Sequence, residues 1–253
     1  MLDASLADRL LVDPPPLLGS PSVDRSRLGG AARTHLGVEV HLATASHPLA
    51  VDALTSGERD AWQRLGSTAR RDDWLLGRAA LRPLLPLDAD TSELAFPHPR
   101  LSLTHAGGVA WAARIRPRRD HSCARGVGID FEPRRRGPNP RAARFFLGPD
   151  ELASGPRDAD LLRLWTVKEA LYKATADNAG LMLVNFRIDD VGAWFGMACG
   201  PRGERLRYAS VDTADGHLAL AVNLNMPVRA GGTVATAPTR AGAGAGARSH
   251  VAV

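Results

Sequence analysis

The alternation of apolar and polar positions divides the middle of the chain into short elements. Val38 to Ala43 predicts a first strand, Ser56–Leu65 and Ala69–Leu85 have apolar residues at helical spacing, and Leu101–Ile115 predicts a pair of strands turning at Gly107-Gly108. From Gly126 to Pro133 the pattern is strictly twofold. Val127, Ile129 and Phe131 fall on one face, Gly128, Asp130 and Glu132 on the other, and Pro133 ends the ladder. Pro140–Phe146 and Asp158–Ala176 read as helices, the second with Leu161, Leu164, Trp165 and Leu171 on its apolar face. Strands over Val184–Val191, Arg205–Asp212 and Leu218–Leu224 complete the series.

Both ends lose this periodicity. Residues 1–36 contain Pro14-Pro15-Pro16 and only short apolar runs, and from Ala230 the chain is built of Gly, Ala, Thr and Arg, including Ala241-Gly242-Ala243-Gly244-Ala245-Gly246. Such composition predicts disorder over 1–36 and 229–253 and leaves 37–228 as the ordered part. A faint internal repeat aligns Trp74–Arg82 with Trp165–Lys173, and Gly108–Ala113 with His217–Val222.

A chain of 253 residues with 44% hydrophobic content can bury the core of one large or two small domains. The formal charge of +5 favours anionic partners but does not choose among them. An aromatic content of 5% offers few stacking platforms for nucleic acid, and no nucleic-acid-binding motif occurs. Cys123 and Cys199 have no CxxC spacing and are expected to be reduced. No apolar run is long enough for a membrane span and no leader pattern opens the chain, so a cytoplasmic protein without membrane contact is expected. Dinucleotide, P-loop and HExxH signatures are absent.

The basic residues change the picture. Of 32 strong cations only Lys168 and Lys173 are lysines, and both lie in Trp165-Thr166-Val167-Lys168-Glu169-Ala170-Leu171-Tyr172-Lys173. Lysine offers a compact charge with a movable pKa, which arginine does not. About 35 residues upstream, Asp130 and Glu132 share a strand face and repel each other unless a cation intervenes. Should the Asp158–Ala176 helix pack beside that strand, Glu169 becomes a third oxygen ligand, one turn from Lys173. Acids and ammonium groups so grouped suit a magnesium-bound phosphate or pyrophosphate. Taken singly, each feature has a plainer reading: a solvated strand end for Asp130 and Glu132, and a helix-surface pair for Glu169 and Lys173.

The two motifs together resemble the signature of the 4'-phosphopantetheinyl transferases. They are Gly126-Val127-Gly128-Ile129-Asp130-Phe131-Glu132 and Trp165–Lys173, with Arg144-Phe145-Phe146 between them. The resemblance is to the monomeric surfactin-synthetase-activating type and extends over roughly residues 50–225. Ala69–Arg78 resembles the family's basic first-lobe helix, and Leu101-Ser102-Leu103-Thr104-His105 its Ser-His strand end. Thr104 stands in place of the serine, and Phe96-Pro97-His98-Pro99-Arg100 in place of a Gly-Lys-Pro.

The resemblance implies an α+β fold of two pseudo-symmetric lobes, an N-terminal one at 37–122 and a C-terminal one at 123–228, with the active site at their interface. It implies magnesium-dependent transfer of phosphopantetheine from coenzyme A to a serine of an acyl or peptidyl carrier protein, with release of adenosine 3',5'-bisphosphate. Asp130, Glu132 and Glu169 would hold magnesium, or manganese in its place, and Glu169 would also take the serine proton. Lys168 would reach the pyrophosphate, Lys173 would act on the leaving phosphate, and Arg71, Arg78, Thr104, His105 and Lys168 would bind coenzyme A. The expected protein is a monomeric enzyme of carrier-protein activation, as in secondary metabolite biosynthesis. A catalytically silent coenzyme A or carrier-binding module and a basic nucleic-acid-binding protein are the alternatives.

Overall fold

The computed structural model describes residues 21–116, 124–136, 138 and 140–224. Within them are two antiparallel sheets. The first contains β1 (Glu39–Ala45), β2 (Leu101–Ala106) and β3 (Val109–Arg116) in the order β1-β3-β2. The second contains β4 (Gly126–Pro133), β5 (Arg187–Ile188), β6 (Phe195–Cys199), β7 (Arg205–Asp212) and β8 (Gly216–Asn223) in the order β4-β8-β7-β6-β5. Helices α1 (Pro21–Ala31), α2 (Ser56–Gln63), α3 (Thr68–Leu81), α4 (Pro149–Ala153) and α5 (Asp158–Lys173) surround them. The chain is a mixed α+β fold.

Each sheet has a helix packed against it. On the first, Leu76, Ala80 and Leu81 of α3 meet Leu101, Ala110 and Ala112. Helix α3 starts where the Ser67 hydroxyl accepts the Arg70 backbone N–H at 3.3 Å. It stops at Leu81, followed by a tight turn over Arg82–Leu84, because Pro83 cannot continue the hydrogen-bond ladder. The expected helix reaching Leu85 is shortened accordingly. On the second sheet, Leu164, Val167 and Leu171 of α5 pack with Phe186, Leu206, Tyr208 and Ala221.

The approach of α5 to β4 depends on glycine. A Cβ on Gly126 would lie 1.9 Å from the Ala174 carbonyl oxygen, and one on Gly128 1.9 Å from that of Ala170. Only bare backbone fits there. The opposite face of β4, with Val127, Ile129 and Phe131, joins Leu218, Leu220 and Val222 of β8 and Trp111 and Ile115 of β3 in a core shared by both sheets. The alternation in the sequence thus sorts β4 into a core face and a face turned to α5.

Residues 1–36 were expected to be disordered, yet residues 21–36 are helical. Leu28, Ala32 and Leu36 are fully buried in the shared core. Their spacing of four residues places them on one helical face, and α1 with its following turn packs against β1 and β7, one strand of each sheet. Gly37, at φ 69°, ends this segment in a left-handed cap. Further differences lie in the second sheet. Of the strand expected over Val184–Val191, the first two residues fall in a helical turn at Leu183–Asn185 and only Arg187–Ile188 is paired, while β6 was not foreseen in the Gly- and Met-containing Phe195–Cys199. Expectations for residues 1–20, for Cys123 and for the chain beyond 224 lie outside the described residues. Among those described, Cys199 is a free thiol and no helix is long and apolar enough to cross a membrane.

Candidate active site

The sheets meet along β2 and β4, and side chains make the junction. The Ile129 N–H donates to Ser102 Oγ at 2.9 Å, and the Thr104 hydroxyl donates to Asp130 Oδ1 at 3.0 Å. Lys173, from α5, donates to the same Oδ1 at 2.6 Å. Asp130 is only 3% exposed, and its second oxygen, Oδ2, is buried without a hydrogen-bond partner. A buried carboxylate oxygen left in that state is costly in water-free surroundings and suits a cation.

Glu169, one turn before Lys173, is half-buried. Its pKa is raised, first by burial and then by the negative charge of Asp130, with Glu132 adding to the effect and Lys173 opposing it. The three acids therefore share one electrostatic neighbourhood. Glu132 is held by the Trp165 indole N–H at 3.2 Å, and that indole packs edge-on against Phe146 with ring centroids 5.2 Å apart. Trp165 is thus a core anchor, as expected of it, and also orients an acid. Among the described residues no group of three His, Cys, Asp or Glu side chains is already arranged to hold a metal ion. The donor chemistry nevertheless fits a hard divalent cation: carboxylate oxygens, one of them buried and unpaired.

Residues 126–214 match the family model of the 4'-phosphopantetheinyl transferase superfamily. That segment is a 4'-phosphopantetheinyl transferase superfamily domain. It holds β4, α5 and all three acids, and its family carries out phosphopantetheine transfer, generally with coenzyme A and a divalent metal. Comparison with curated proteins found no match.

Outside the matched transferase segment, the first sheet contributes two adjoining clefts. One, of about 410 Å³, runs from Lys173, Tyr172 and Asn178 to Ser102, His105 and Phe96. The other, of about 420 Å³, shares Phe96, Leu103 and His105 and continues to Arg70, Trp74 and Arg78 of α3. His105 thus sits where the clefts meet, with Nδ1 3.9 Å from the Asp73 carboxylate. The Arg78 guanidinium lies over the Trp74 ring at 4.2 Å and donates to the Thr91 carbonyl at 3.2 Å; burial pushes its pKa down to about 10.

Three residues expected at the transferase site have other partners. Lys168 is fully buried. Its ammonium lies 2.7 Å from both Glu151 oxygens and also meets the Phe186 carbonyl, and burial lowers its pKa against the opposing effect of Glu151. Successive helical residues are about 100° apart, so Lys168, two positions before Ala170, points away from the face of α5 seated on β4. Reach to a pyrophosphate is not available to it in this position.

Arg71 donates to the carbonyls of Leu65 and Gln63, each at 3.1 Å, and lies over the Trp62 ring, closing the end of α2 rather than facing either cleft. Its neighbour Arg70 lines the second cleft instead. Arg70 precedes Trp74 and Arg78 by four and eight residues, and Arg71 precedes them by three and seven, so helical spacing alone does not distinguish the two arginines. Thr104, expected to bind coenzyme A, is 6% exposed and turned to Asp130 rather than to the clefts. Tyr172, Asn178 and Phe96 were not expected at the site. The Asn178 amide donates to the Tyr172 carbonyl at 3.0 Å, fixing the end of α5 beside the cleft.

Proposed function

We propose that this chain transfers the 4'-phosphopantetheine group of coenzyme A to a serine of an acyl or peptidyl carrier protein, releasing adenosine 3',5'-bisphosphate, in a magnesium- or manganese-dependent reaction. The observation that most supports this is the buried, unpartnered Asp130 Oδ2 in the charge neighbourhood of Glu169 and Glu132, beside clefts containing Lys173, His105, Arg70 and Arg78. In this reading residues 37–122 and 123–228 are pseudo-symmetric lobes, and the reaction occurs at their junction in a monomer.

Asp130, Glu132 and Glu169 would hold the metal, which when bound supplies charge neutralisation on the pyrophosphate. The serine oxygen attacks the phosphorus bearing the pantetheine arm, and the bond from that phosphorus to the bridging oxygen breaks. Glu169 receives the serine proton, a role helped by its raised pKa. Lys173 is placed to stabilise or protonate the departing phosphate, while His105, Arg70 and Arg78 supply donors along the clefts. Much of the rate then comes from position and charge.

Intact-mass analysis tests this reading. Apo-carrier proteins incubated with the full chain, coenzyme A and magnesium should gain one phosphopantetheine, and should gain none with excess chelator. No mass gain on a panel of acyl and peptidyl carrier proteins, or full transfer in chelator, would overturn it.

A further inference from the structure

Asp130 can be useful to a cation only if one oxygen is kept free of protein donors and aimed consistently. Two donors converge on Oδ1: the Thr104 hydroxyl at 3.0 Å and the Lys173 ammonium at 2.6 Å. Oδ2 receives none, although it is buried. The two donors come from different places. Thr104 belongs to β2 in the first sheet, whereas Asp130 and Lys173 belong to β4 and α5. Lys173 is a flexible side chain, 28% exposed, that borders the cleft. Thr104 is short, buried and fixed on a strand, with one strongly preferred role open to its hydroxyl proton because a carboxylate can only accept.

We propose that Thr104 is a positioning residue for the metal site, fixing the carboxylate of Asp130 from across the sheet junction so that Oδ2 is the oxygen presented to the cation. The proposal rests on the metal-dependent transfer proposed above. It assigns Thr104 a role other than contact with coenzyme A. It also makes the first sheet part of the metal site although none of its residues is a ligand. Partners that orient a ligating carboxylate typically change metal affinity by about 10–100-fold when removed.

The junction gives the hydroxyl a further reason to stay in place. Two positions earlier on the same strand, Ser102 Oγ accepts the Ile129 N–H at 2.9 Å, pinning β2 to β4 one residue from Asp130. Ser102 and Thr104 lie on the same side of β2, two residues apart, and together they hold the strand against β4 on either side of the Ile129–Asp130 peptide.

The test uses the full-length protein and Mn²⁺ as the probe, with coenzyme A present. Free Mn²⁺ is followed by electron paramagnetic resonance. Thr104→Val keeps the shape but removes the hydroxyl, and is expected to weaken Mn²⁺ binding by about tenfold or more. Thr104→Ser restores the hydroxyl and should bind Mn²⁺ within about twofold of the natural chain, and coenzyme A affinity measured without metal should be unchanged in both. Should Thr104→Val not fold, Thr104→Ala replaces it in the same comparison. Equal Mn²⁺ affinity in the hydroxyl-free variant and the natural chain overturns the proposal, as does failure of serine to restore binding or an equal loss of metal-free coenzyme A affinity. Absence of Mn²⁺ binding by the natural chain would instead overturn the metal reading itself, so the two failures are distinguishable.

Discussion

Lys173 and Asp130 form an ion pair of 2.6 Å between α5 and β4, with the carboxylate almost wholly buried and the ammonium partly open to the cleft. The pair gives Lys173 a duty before any substrate arrives, as the counter-ion of a buried acid. Lys173 also borders the cleft, where the role on a leaving phosphate proposed above would be exercised.

Removing this lysine should therefore affect stability as well as turnover. Lys173→Ala leaves Asp130 with one donor and is expected to cost about 2 kcal/mol in urea unfolding. Adding Asp130→Ala should recover part of that loss, giving a non-additive cycle. Lys173→Arg keeps the charge and should fold normally, but lose single-turnover transfer by roughly 10²-fold if the lysine donates a proton. Normal transfer in both lysine variants would remove its catalytic role.

Glu169 should show the opposite balance. Its raised pKa means that ionising it costs the folded state, through burial first and then Asp130. That penalty is absent below the ordinary glutamate range, grows as pH rises through the raised pKa, and is complete above it. Glu169→Gln is thus expected to raise the metal-free melting temperature at pH 7 to 8, to leave it nearly unchanged near pH 4, and to abolish transfer. Thermal scans at the two pH values decide the matter, and a lower melting temperature at pH 7 would contradict the electrostatic account.

Lys168 should behave as a core residue. Glu151 accepts its ammonium and also the backbone N–H groups of Gly148 and Ile188, each at 2.7 Å, tying α4, α5 and β5 together. Lys168→Met would bury Glu151 without its cation and is expected to destabilise the protein by about 3 kcal/mol. Coenzyme A affinity of the folded protein, measured by calorimetry well below the melting temperature, should stay within twofold. A selective loss of that affinity with stability intact would reinstate a phosphate contact.

Leu28 tests the N-terminal helix. It is fully buried in the core shared by the two sheets, so Leu28→Ala should cost about 2–4 kcal/mol in urea unfolding. A change below about 0.5 kcal/mol would mean that α1 does not pack as described.

Much of the acid site was legible because twofold alternation is a strong signal: it separated Asp130 and Glu132 from Val127, Ile129 and Phe131, and the structure keeps that division. Glu169 and Lys173 were legible because their spacing of four fixes a common helical side. Lys168 shows the limit. Its rarity as a residue type suggested chemistry, but only the position of β4 relative to α5 reveals that its side of the helix faces Glu151. Composition misled at the N-terminus, where prolines and glycines hid the i, i+4, i+8 series of Leu28, Ala32 and Leu36. Helical phase does not choose between Arg70 and Arg71, since Trp74 and Arg78 follow Arg70 by four and eight residues and Arg71 by three and seven; only the tertiary bonds of Arg71 to the Leu65 and Gln63 carbonyls take it from the cleft. The bond from Thr104 to Asp130 was not legible, because it joins strands of different sheets and no local period records it.

The glycines of β4 set a tolerance for the whole site. With Gly126 and Gly128 against the carbonyls of Ala174 and Ala170, strand and helix meet backbone to backbone, with no rotamer between them to yield. The gap from Asp130 and Glu132 on one element to Glu169 and Lys173 on the other is then gauged by peptide geometry, which hardly varies, and not by the sum of several side-chain volumes, which drifts with every core substitution. Amino-acid exchanges elsewhere in the core can accumulate and be absorbed by repacking while this one dimension stays where it was.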